Sequence, residues 1–331
     1  METLILSDEE VRELISMRDV IDAVELAFRE KGLGRVQMPQ KIYLSFSRYN
    51  GDLRAMPSYL EELDVAAVKV VNVHPDNREK HSLPTVMATI ILIDPRSGFP
   101  IAIMGGTTIT DMRTGAAGGI AAKYLARKDS KIVGLVGAGA QARTQLMALL
   151  EVFGSLDEVR VWSRSEKTRM EFRGEMGAKY GHLCRIVTLE SIEETVRGAD
   201  IIVTTTPSRS PLVMDEWIKP GAHFNCIGAD APGKEELDPS ILKRAKIVVD
   251  DWEQAIHSGE INVPLKMGII SERDIWAELG DIVAGRKPGR TSDEEITVFT
   301  STGLAIQDAV TANLAYQRAL ERGIGKRIKI V

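Results

Sequence analysis

The chain has 331 residues, of which 44% are hydrophobic and 27% are charged, and its formal net charge is −5. This length exceeds what one small core organises and predicts two domains. The ordinary composition excludes a disordered or fibrous protein. The mild acidity argues against a nucleic-acid partner, because recognition of phosphates needs a basic surface.

Cysteine usage and the first residues predict a cytoplasmic protein with no membrane partner. Cys184 and Cys226 form neither a CxxC pair nor a metal-ligand spacing, so we expect two buried thiols, no disulfide scaffold and no metal site. Residues 1–14 carry acids where a secretion signal carries Lys or Arg. The apolar run over residues 86–93 is much shorter than the roughly 20 residues that span a bilayer.

The first part of the chain predicts an α+β unit. Ser7 followed by Glu10 matches a capping box before a helix over residues 8–15, and apolar positions on one face predict a second helix over residues 18–31. Strands are predicted over residues 41–46, 65–73 and 86–93. A strand-rich region of this kind is typical of an α+β unit rather than a helical bundle.

Strands and helices alternate after residue 130, following an Ala- and Gly-rich helix predicted over residues 114–126. The predicted strands cover residues 131–136, 159–162, 201–205, 223–227 and 247–249, and the predicted helices cover residues 140–153, 166–180, 191–196 and 239–244. This alternation indicates right-handed crossovers and a doubly wound parallel sheet of the α/β class. A helix over residues 304–320 and a strand over 327–331 either finish this sheet or return to the first domain.

Residues 131–142 combine a buried strand, a glycine-rich turn and a helix start in the pattern GxGxxA. Gly137 permits the tight turn, and Gly139 lets the backbone approach a pyrophosphate at the amino end of the helix. A tight turn without a ligand is the alternative, but the βαβ alternation that follows favours a dinucleotide site. Thr204, Thr205 and Thr206 close one later strand and Gly228 closes another, so we expect them to face the nicotinamide half of the cofactor.

The strand after the glycines indicates which dinucleotide is bound. It ends in Ser163, Arg164 and Ser165, where an NAD site usually places an acid against the ribose. A carboxylate repels a 2′-phosphate, whereas an arginine and two hydroxyls can hydrogen-bond to it. The sequence therefore predicts NADP(H) rather than NAD(H), with a solvated Arg164 as the alternative.

Basic residues interrupt apolar or turn-like segments of the first domain. They are Lys41 at a strand start, Arg54 in a turn-like segment, Lys69 inside an apolar run and Arg113 before the 114–126 helix. A buried cation such as Lys69 is costly unless it is paired or functional, although strand alternation also allows it to face solvent. If these cations converge, they bind a carboxylate-bearing substrate. Asp230, at a strand end between two glycines, is a candidate acid–base, with a local Asx-turn as the alternative.

Eight separated segments resemble the ornithine cyclodeaminase/mu-crystallin family, and within it most closely the archaeal-type alanine dehydrogenases. They are GDLRAMP (51–57), LPTVMA (83–88), MRTGAAGG (112–119), GAGAQA (137–142), VTTTP (203–207), NCIGADAPGKEEL (225–237), GEIN (259–262) and STGL (301–304). The resemblance covers nearly the whole chain in the same order. It implies a homodimer in which residues 1–118 and 305–331 form a substrate-binding and dimerisation domain, with a Rossmann domain inserted over residues 119–304.

The resemblance also implies roles for individual residues. Four residues are expected to hold the substrate carboxylate or line its pocket: Lys41, Arg54, Lys69 and Arg113. The catalytic residues are expected to be Lys69 and Asp230. The expected cofactor contacts are Thr85, Thr114, Gly137, Gly139, Ala140, Gln141, Ser163, Arg164, Ser165, Thr204, Thr205, Thr206 and Gly228. Thr300 departs from the family pattern, which commonly has an aspartate there.

The reaction implied is reversible hydride transfer between a nicotinamide and Cα of a small amino acid or its imine. Alanine dehydrogenase, which forms pyruvate and ammonia from L-alanine, is the leading expectation. A reductase of cyclic ketimines such as pyrroline-2-carboxylate uses the same site, and an ornithine cyclodeaminase or a non-catalytic binding protein are further alternatives. Arg54 disfavours ornithine, because the family's cyclodeaminases usually carry an acid near this position to bind the distal amine.

Overall fold

The computed structural model describes residues 1–330, which form two compact units. Unit 1 comprises Met1–Arg113 together with residues 304–330, and unit 2 comprises Thr114–Gly303. Both ends of the described chain therefore belong to unit 1. Val331, the last residue of the strand predicted over residues 327–331, lies outside the described residues.

The first part of the chain mixes helices and strands. In chain order the elements are β1 (Thr3–Leu6), α1 (Asp8–Leu14), α2 (Met17–Gly32), β2 (Val36–Gln37), β3 (Ile42–Phe46), β4 (Gly51–Leu60), β5 (Val65–Val73), α3 (Asn77–Lys80), β6 (Val86–Ile93), β7 (Pro100–Gly105) and α4 (Thr107–Leu125). The helix α1 begins at the predicted capping box: Ser7 Oγ accepts from the Glu10 N–H at 3.1 Å, and the Glu10 carboxylate accepts from the Ser7 N–H at 2.7 Å.

Unit 2 alternates strands with helices, and the chain then returns to unit 1. The elements are β8 (Ile132–Val136), α5 (Ala140–Phe153), β9 (Glu158–Trp162), α6 (Glu166–Tyr180), β10 (Arg185–Thr188), α7 (Ile192–Val196), β11 (Ile201–Thr204), β12 (Arg209–Val213), β13 (His223–Cys226), β14 (Glu235–Leu237), α8 (Pro239–Arg244), β15 (Ala245–Val249), α9 (Trp252–Ser258), α10 (Asn262–Lys266), β16 (Ile275–Glu278), α11 (Leu279–Val283), β17 (Ile296–Thr300), α12 (Ala305–Arg322) and β18 (Lys326–Ile328).

The main sheet of unit 2 is parallel and has the strand order β10-β9-β8-β11-β13-β17-β15-β16. Apolar clusters that include Phe172 and Phe224 pack within the unit. The chain winds outward from β8 on one side and from β11 on the other, so the carboxyl ends of these two strands form the switch point at which such sheets bind ligands. The predicted doubly wound parallel sheet is confirmed.

The sheet of unit 1 has the order β18-β1-β7-β6-β5-β4-β2, and β3 also pairs with β4. The strands β4 to β7 run antiparallel, whereas β1 is parallel to β7. The helix α12 packs on this sheet, where Ala305 joins Met56, Val71 and Ala88 in a small apolar cluster. The last strand, β18, pairs with β1 and so completes the sheet of unit 1 rather than that of unit 2.

Two sequence predictions about unit 1 were wrong. Arg54 lies inside the strand β4, because the turn before it ends at Asn50, which adopts a φ of +47°. Arg113 lies inside α4, which begins at Thr107 rather than at residue 114. The threonine Thr110 fits into the first turn of this helix, where its Oγ1 donates to the carbonyl of Gly106 at 2.7 Å.

Candidate active site

The glycine-rich turn of unit 2 lies at the switch point of its sheet. Gly137 follows β8 with a φ of +119°, and a Cβ there would lie 2.2 Å from Thr205 Oγ1, so only glycine fits. Gly139 forms the N-cap of α5 in extended backbone. A Cβ at Gly139 meets nothing within 4 Å, so this glycine is not required by packing inside the chain.

These features fit a dinucleotide pyrophosphate. The space beside Gly139 lies at the amino end of α5, whose N–H groups and dipole favour an anion. Thr205, just beyond β11, has a buried Oγ1 with no hydrogen-bond partner in residues 1–330. Such a hydroxyl is costly to leave unpaired and is satisfied by a ligand or water. Ala140 and Gln141 continue the same turn into α5.

The segment after β9 presents Arg164 to solvent between two serines. Ser163 Oγ donates to the carbonyl of Ser165 at 2.9 Å, and Ser165 Oγ caps α6 by accepting from the Thr168 N–H at 3.3 Å. The buried Arg169 donates to the carbonyl of Ser163 at 2.6 Å and so anchors the loop. A ribose phosphate at this loop would therefore meet an exposed guanidinium and hydroxyls.

A buried glutamate connects the two loops that follow β11 and β13. Glu236 accepts from the Thr206 N–H at 2.6 Å and from the Gly228 N–H at 3.0 Å. Glu260 in turn accepts from the N–H groups of Glu236 and Leu237 at 2.8 and 2.7 Å. Burial raises the pKa of Glu236 to about 7 and raises that of Glu260 well above its ordinary range. This pair fixes the predicted Thr204–Thr206 and Gly228 positions relative to each other.

Asp230 lies two residues beyond Gly228 on the same loop. Its side chain is 34% exposed and its Oδ1 is paired with Lys234 Nζ. The loop is fixed elsewhere, because Asn262 accepts from the Gly233 N–H at 2.9 Å and donates to the carbonyl of Lys234 at 2.9 Å. A half-exposed carboxylate on an anchored loop can exchange protons with solvent or a ligand.

Two of the predicted cations, Arg54 and Lys69, share one face of the unit 1 sheet. Register pairs Tyr43 with Arg54, Arg54 with Val71, and Met56 with Lys69, and paired residues lie on the same face. Arg54 and Lys69 are 8% and 1% exposed, so the solvent-facing alternative for Lys69 is excluded. Arg54 forms a bidentate pair with Asp52, with both N···O distances 3.0 Å, and its guanidinium lies 5.3 Å from the Tyr43 ring centroid.

Lys41 lies immediately before β3 and acts electrostatically on Lys69. The residue Thr85 lies before β6, where its carbonyl accepts from the His74 N–H at 2.8 Å. Thr114 is buried in α4, and its carbonyl accepts from Gln145 Nε2 at 2.8 Å. The structure therefore places Lys41 and Thr85 in unit 1 and Thr114 in unit 2.

Lys69 and Arg113 converge on a carboxylate that the sequence did not predict. Asp308 of α12 lies 2.7 Å from Lys69 Nζ through Oδ2 and 3.0 Å from Arg113 Nε through Oδ1. The neighbouring Gln307 accepts from Arg113 Nη1 at 3.1 Å. All four side chains are buried, and the two cations exceed the one carboxylate. The cluster therefore favours an additional anion.

Burial and electrostatics set the charge of Lys69. Burial, then the adjacent Arg113, lowers the pKa of Lys69 to about 7, whereas Asp308 opposes this shift. Burial also raises the pKa of Asp111, on α4, to about 6. A lysine that titrates near neutral pH is characteristic of functional sites.

Sequence reasoning missed Asp308, Gln307 and Glu236. The signal for the first two was a pair of polar residues inside the apolar start of α12, directly after the STGL segment. Glu236 stood inside the APGKEEL segment, but its role depends on backbone N–H groups that a sequence pattern does not display. Thr300, where the family pattern predicts an aspartate, is buried and accepts from the Glu260 N–H at 2.8 Å.

Among residues 1–330, no group of three or more His, Cys, Asp or Glu side chains is arranged to hold a metal ion. Within the same residues, no helix combines the length and apolar character that crossing a membrane requires.

Comparisons with known proteins place these features in context. Residues 1–323 match the model of the ornithine cyclodeaminase/mu-crystallin family. The chain is 52% identical over 329 residues to an alanine dehydrogenase of Archaeoglobus fulgidus, and the match covers 99% of each chain. An archaeal alanine dehydrogenase dimer with bound NAD has a TM-score of 0.95 at 52% identity, covering 100% of both chains.

A second solved structure is nearly as similar. The pyrroline-2-carboxylate reductase of Thermococcus litoralis, in complex with NADH and L-proline, has a TM-score of 0.94 and 46% identity, covering 98% of this chain and 99% of that chain. The resemblance that the eight sequence segments indicate is confirmed.

Proposed function

This chain belongs to the ornithine cyclodeaminase/mu-crystallin family, and we propose that it is a nicotinamide-dependent oxidoreductase that interconverts L-alanine with pyruvate and ammonia. The observation that carries the proposal is the buried cluster of Lys69, Arg113 and Asp308, in which two cations share one carboxylate. The carboxylate of pyruvate or alanine supplies the missing negative charge. The 52% identity to an alanine dehydrogenase supports alanine among the small amino acids.

We assign the dinucleotide to unit 2. Gly137 and Gly139 would hold its pyrophosphate at the amino end of α5, and Thr205 would donate its unpaired hydroxyl. When bound, the nicotinamide gives hydride to, or takes it from, Cα of the substrate. We further propose that NADP(H) is preferred, because Arg164 is exposed between two serines and no acid occupies residues 163–165.

The residues of unit 1 would bind and orient the substrate. Arg113, with Arg54 and Lys41, holds the carboxylate and so fixes the position of Cα. Lys69, in its protonated form, stabilises negative charge on the oxygen that is lost or gained as pyruvate and the imine interconvert. Since Asp52 already pairs with Arg54, the local charge at Arg54 is smaller than the sequence suggested, and the argument against ornithine is correspondingly weaker.

Asp230 is assigned the proton transfers. Its partly exposed carboxylate takes a proton from ammonia or water and returns it as the amine is exchanged. The loop that carries it is held by Asn262 and, through Gly228, by Glu236, so the carboxylate is positioned without itself being buried.

A cyclic ketimine reductase is the second candidate. A related structure at 46% identity was solved with L-proline, whose carboxylate and ring nitrogen present the same groups as alanine. The two candidates share all assigned residues and differ in the substrate that turns over faster.

One assay separates the candidates. The purified protein is assayed with NADH and with NADPH, first with pyruvate plus ammonium as substrates and then with pyrroline-2-carboxylate. In a separate reaction it is given ornithine and NAD. We expect the highest kcat/KM with pyruvate, ammonium and NADPH. Faster reduction of pyrroline-2-carboxylate selects the second candidate. Conversion of ornithine with no net change in the absorbance of reduced nicotinamide identifies a lyase and overturns both.

We also propose that the chain forms a homodimer through β3. Its apolar side chains Ile42, Tyr43 and Leu44 are 61%, 44% and 54% exposed, an unusual state for neighbouring large residues on one strand. The related archaeal alanine dehydrogenase was solved as a dimer. Light scattering should give a dimer for the wild type and a monomer for Leu44→Asp, whereas a dimeric Leu44→Asp variant places the interface elsewhere.

A further inference from the structure

We propose that Asp308 is a positioning residue that holds Lys69 and Arg113 in one charged arrangement, and that the Gln307 amide adds a hydrogen-bond donor to the same anion site. The inference rests on the proposed function, because it assigns this site to the carboxyl end of a small 2-oxo acid or amino acid. It adds two residues of α12 to the site.

Asp308 connects side chains from different elements. Lys69 comes from β5 and Arg113 from α4, and each is bound by a different oxygen of the Asp308 carboxylate, at 2.7 and 3.0 Å. Without that carboxylate, two cations would face each other in a buried place, which is strongly unfavourable. Asp308 therefore allows both cations to be present together before any substrate binds.

Gln307 is oriented by two donors. Its Oε1 accepts from Arg113 Nη1 at 3.1 Å and from the Leu304 N–H at 3.2 Å, which fixes the amide so that oxygen faces these donors. Its Nε2 is buried and has no hydrogen-bond partner within residues 1–330. An unpaired buried amide donor is costly, and the oxygen of a bound carboxylate would satisfy it.

Asp308 also controls the charge of Lys69. The groups that act on Lys69 are Arg113 from α4, Asp308 from α12 and Lys41 before β3, with Asp111 of α4 as a further acid near the cluster. Burial, Arg113 and Lys41 lower the pKa of Lys69 to about 7, and only Asp308 among them raises it. Loss of the Asp308 charge therefore lowers the pKa of Lys69 further, so that lysine becomes neutral at physiological pH.

The test measures kcat/KM for pyruvate against pH, with saturating ammonium and reduced cofactor, in wild type, Asp308→Asn and Asp308→Glu. Wild type should lose activity as pH rises through about 7, where Lys69 deprotonates. This loss of activity is the alkaline limb of the pH profile. Asp308→Asn should move the alkaline limb to lower pH by about one unit or more, because the substitution removes an opposite charge beside Lys69. Asp308→Glu should keep the limb near its wild-type position, and KM for the cofactor should not change in either variant.

The control is Asp19→Asn, which removes a different ion pair to the same helix. Asp19 Oδ1 lies 2.7 Å from Arg318 Nη2 of α12, and both side chains are partly exposed. A purely structural role of Asp308 would lower activity at all pH values, as in a destabilised control, and leave the limb in place. That result overturns the proposed role. If Asp308→Asn does not fold, Asp308→Glu provides the test. An alkaline limb displaced from its wild-type position in that variant also overturns the proposed role of Asp308.

Gln307→Met tests the second residue. It should raise KM for pyruvate about tenfold, the effect of one hydrogen bond to a charged group, without moving the alkaline limb. An unchanged KM removes Gln307 from the site.

Calorimetric binding of pyruvate separates this inference from the proposed function. If wild type binds pyruvate but turns over neither pyruvate nor pyrroline-2-carboxylate, the proposed oxidoreductase activity fails while the anion site stands. If wild type turns over pyruvate and Asp308→Asn binds it as tightly at alkaline pH, the activity stands and the role of Asp308 fails.

Discussion

One buried cluster in unit 1 and one in unit 2 handle charge in opposite ways. Unit 1 buries two cations, Lys69 and Arg113, against the single carboxylate of Asp308. Unit 2 buries two carboxylates, Glu236 and Glu260, and stabilises them with backbone N–H groups. The first arrangement has excess positive charge and favours a bound anion, whereas the second takes up protons and fixes loops. Burial alone therefore does not identify a ligand site. The balance between buried cations and buried carboxylates does.

The units also differ in which atoms are available for recognition. Unit 1 offers side chains that come from widely separated parts of the chain. In unit 2 the turn at Gly137 and Gly139 offers backbone from one short stretch, with space where a side chain would otherwise stand. Substitutions should therefore damage the two sites differently.

Unlike the buried Glu236 and Glu260, Asp230 is partly exposed and paired with a lysine. We expect Asp230→Asn to lower kcat about a thousandfold, because it removes a proton acceptor and donor. Affinity for NADPH, measured by fluorescence, should be unchanged. Asp157→Asn, at an exposed aspartate of the same unit, is the control. Near-normal turnover in Asp230→Asn would show that protons move by another route.

Lys69→Met should separate binding from stability. The substitution leaves Arg113 and Asp308 as a balanced pair, so we expect kcat/KM for pyruvate to fall about a hundredfold as one charged contact is lost. The melting temperature should stay level or rise, because a buried excess charge is removed. Lys80→Met, at an exposed lysine paired with Asp76, is the control. A large loss of stability in Lys69→Met would mean that the lysine mainly supports the fold.

Gly139→Ala should act on unit 2 alone. Its Cβ meets no protein atom within 4 Å, so the fold should persist while affinity for the dinucleotide falls about tenfold or more. Gly137→Ala should lower both stability and affinity, because of its positive φ and the approach to Thr205. Gly174→Ala, in open space on α6, is the control and should lower neither stability nor dinucleotide affinity. Unchanged dinucleotide affinity in Gly139→Ala would place the pyrophosphate elsewhere.

The difference between the units also explains what the sequence could predict. The turn from β8 to α5 lies within about a dozen consecutive residues, so glycine spacing and the alternation of strands were sufficient. The partner of Arg113 is Asp308, 195 residues further along the chain, and no periodicity connects them. The alternation of side chains in β5 did not show whether Lys69 faces the core or solvent. The packing of α12 on the sheet decides that it faces the core. No strand was predicted around Arg54, whereas the structure places this residue in β4.

Arg164→Ala tests the cofactor preference, which depends on a side chain even in unit 2. We expect KM for NADPH to rise about tenfold to thirtyfold, the lower part of the range for a charge-assisted hydrogen bond, with KM for NADH unchanged. Lys167→Ala, at an exposed lysine on the adjoining helix, is the control. A variant that keeps its preference for NADPH would overturn the assignment of Arg164. A wild-type protein that prefers NADH would contradict the proposed preference for NADP(H), on which this prediction depends.

Glu236→Gln should act mainly on stability, through the pH dependence of unfolding. Because burial raises the pKa of Glu236 from 4.5 to about 7, the folded state binds more protons than the unfolded state between these pH values. The free energy of unfolding therefore falls as pH rises through this window. Glutamine cannot titrate, so the variant should show a flatter dependence.

The measurement is urea unfolding at several pH values between about 4.5 and 7 for wild type, Glu236→Gln and Glu193→Gln, an exposed glutamate paired with Arg197. At the acid end the variant should be less stable than wild type, because its amide nitrogen faces an N–H group that the carboxylate accepted. The two curves should approach each other as pH rises. Parallel curves would mean that Glu236 keeps one protonation state throughout and that the proton uptake of unit 2 belongs to Glu260.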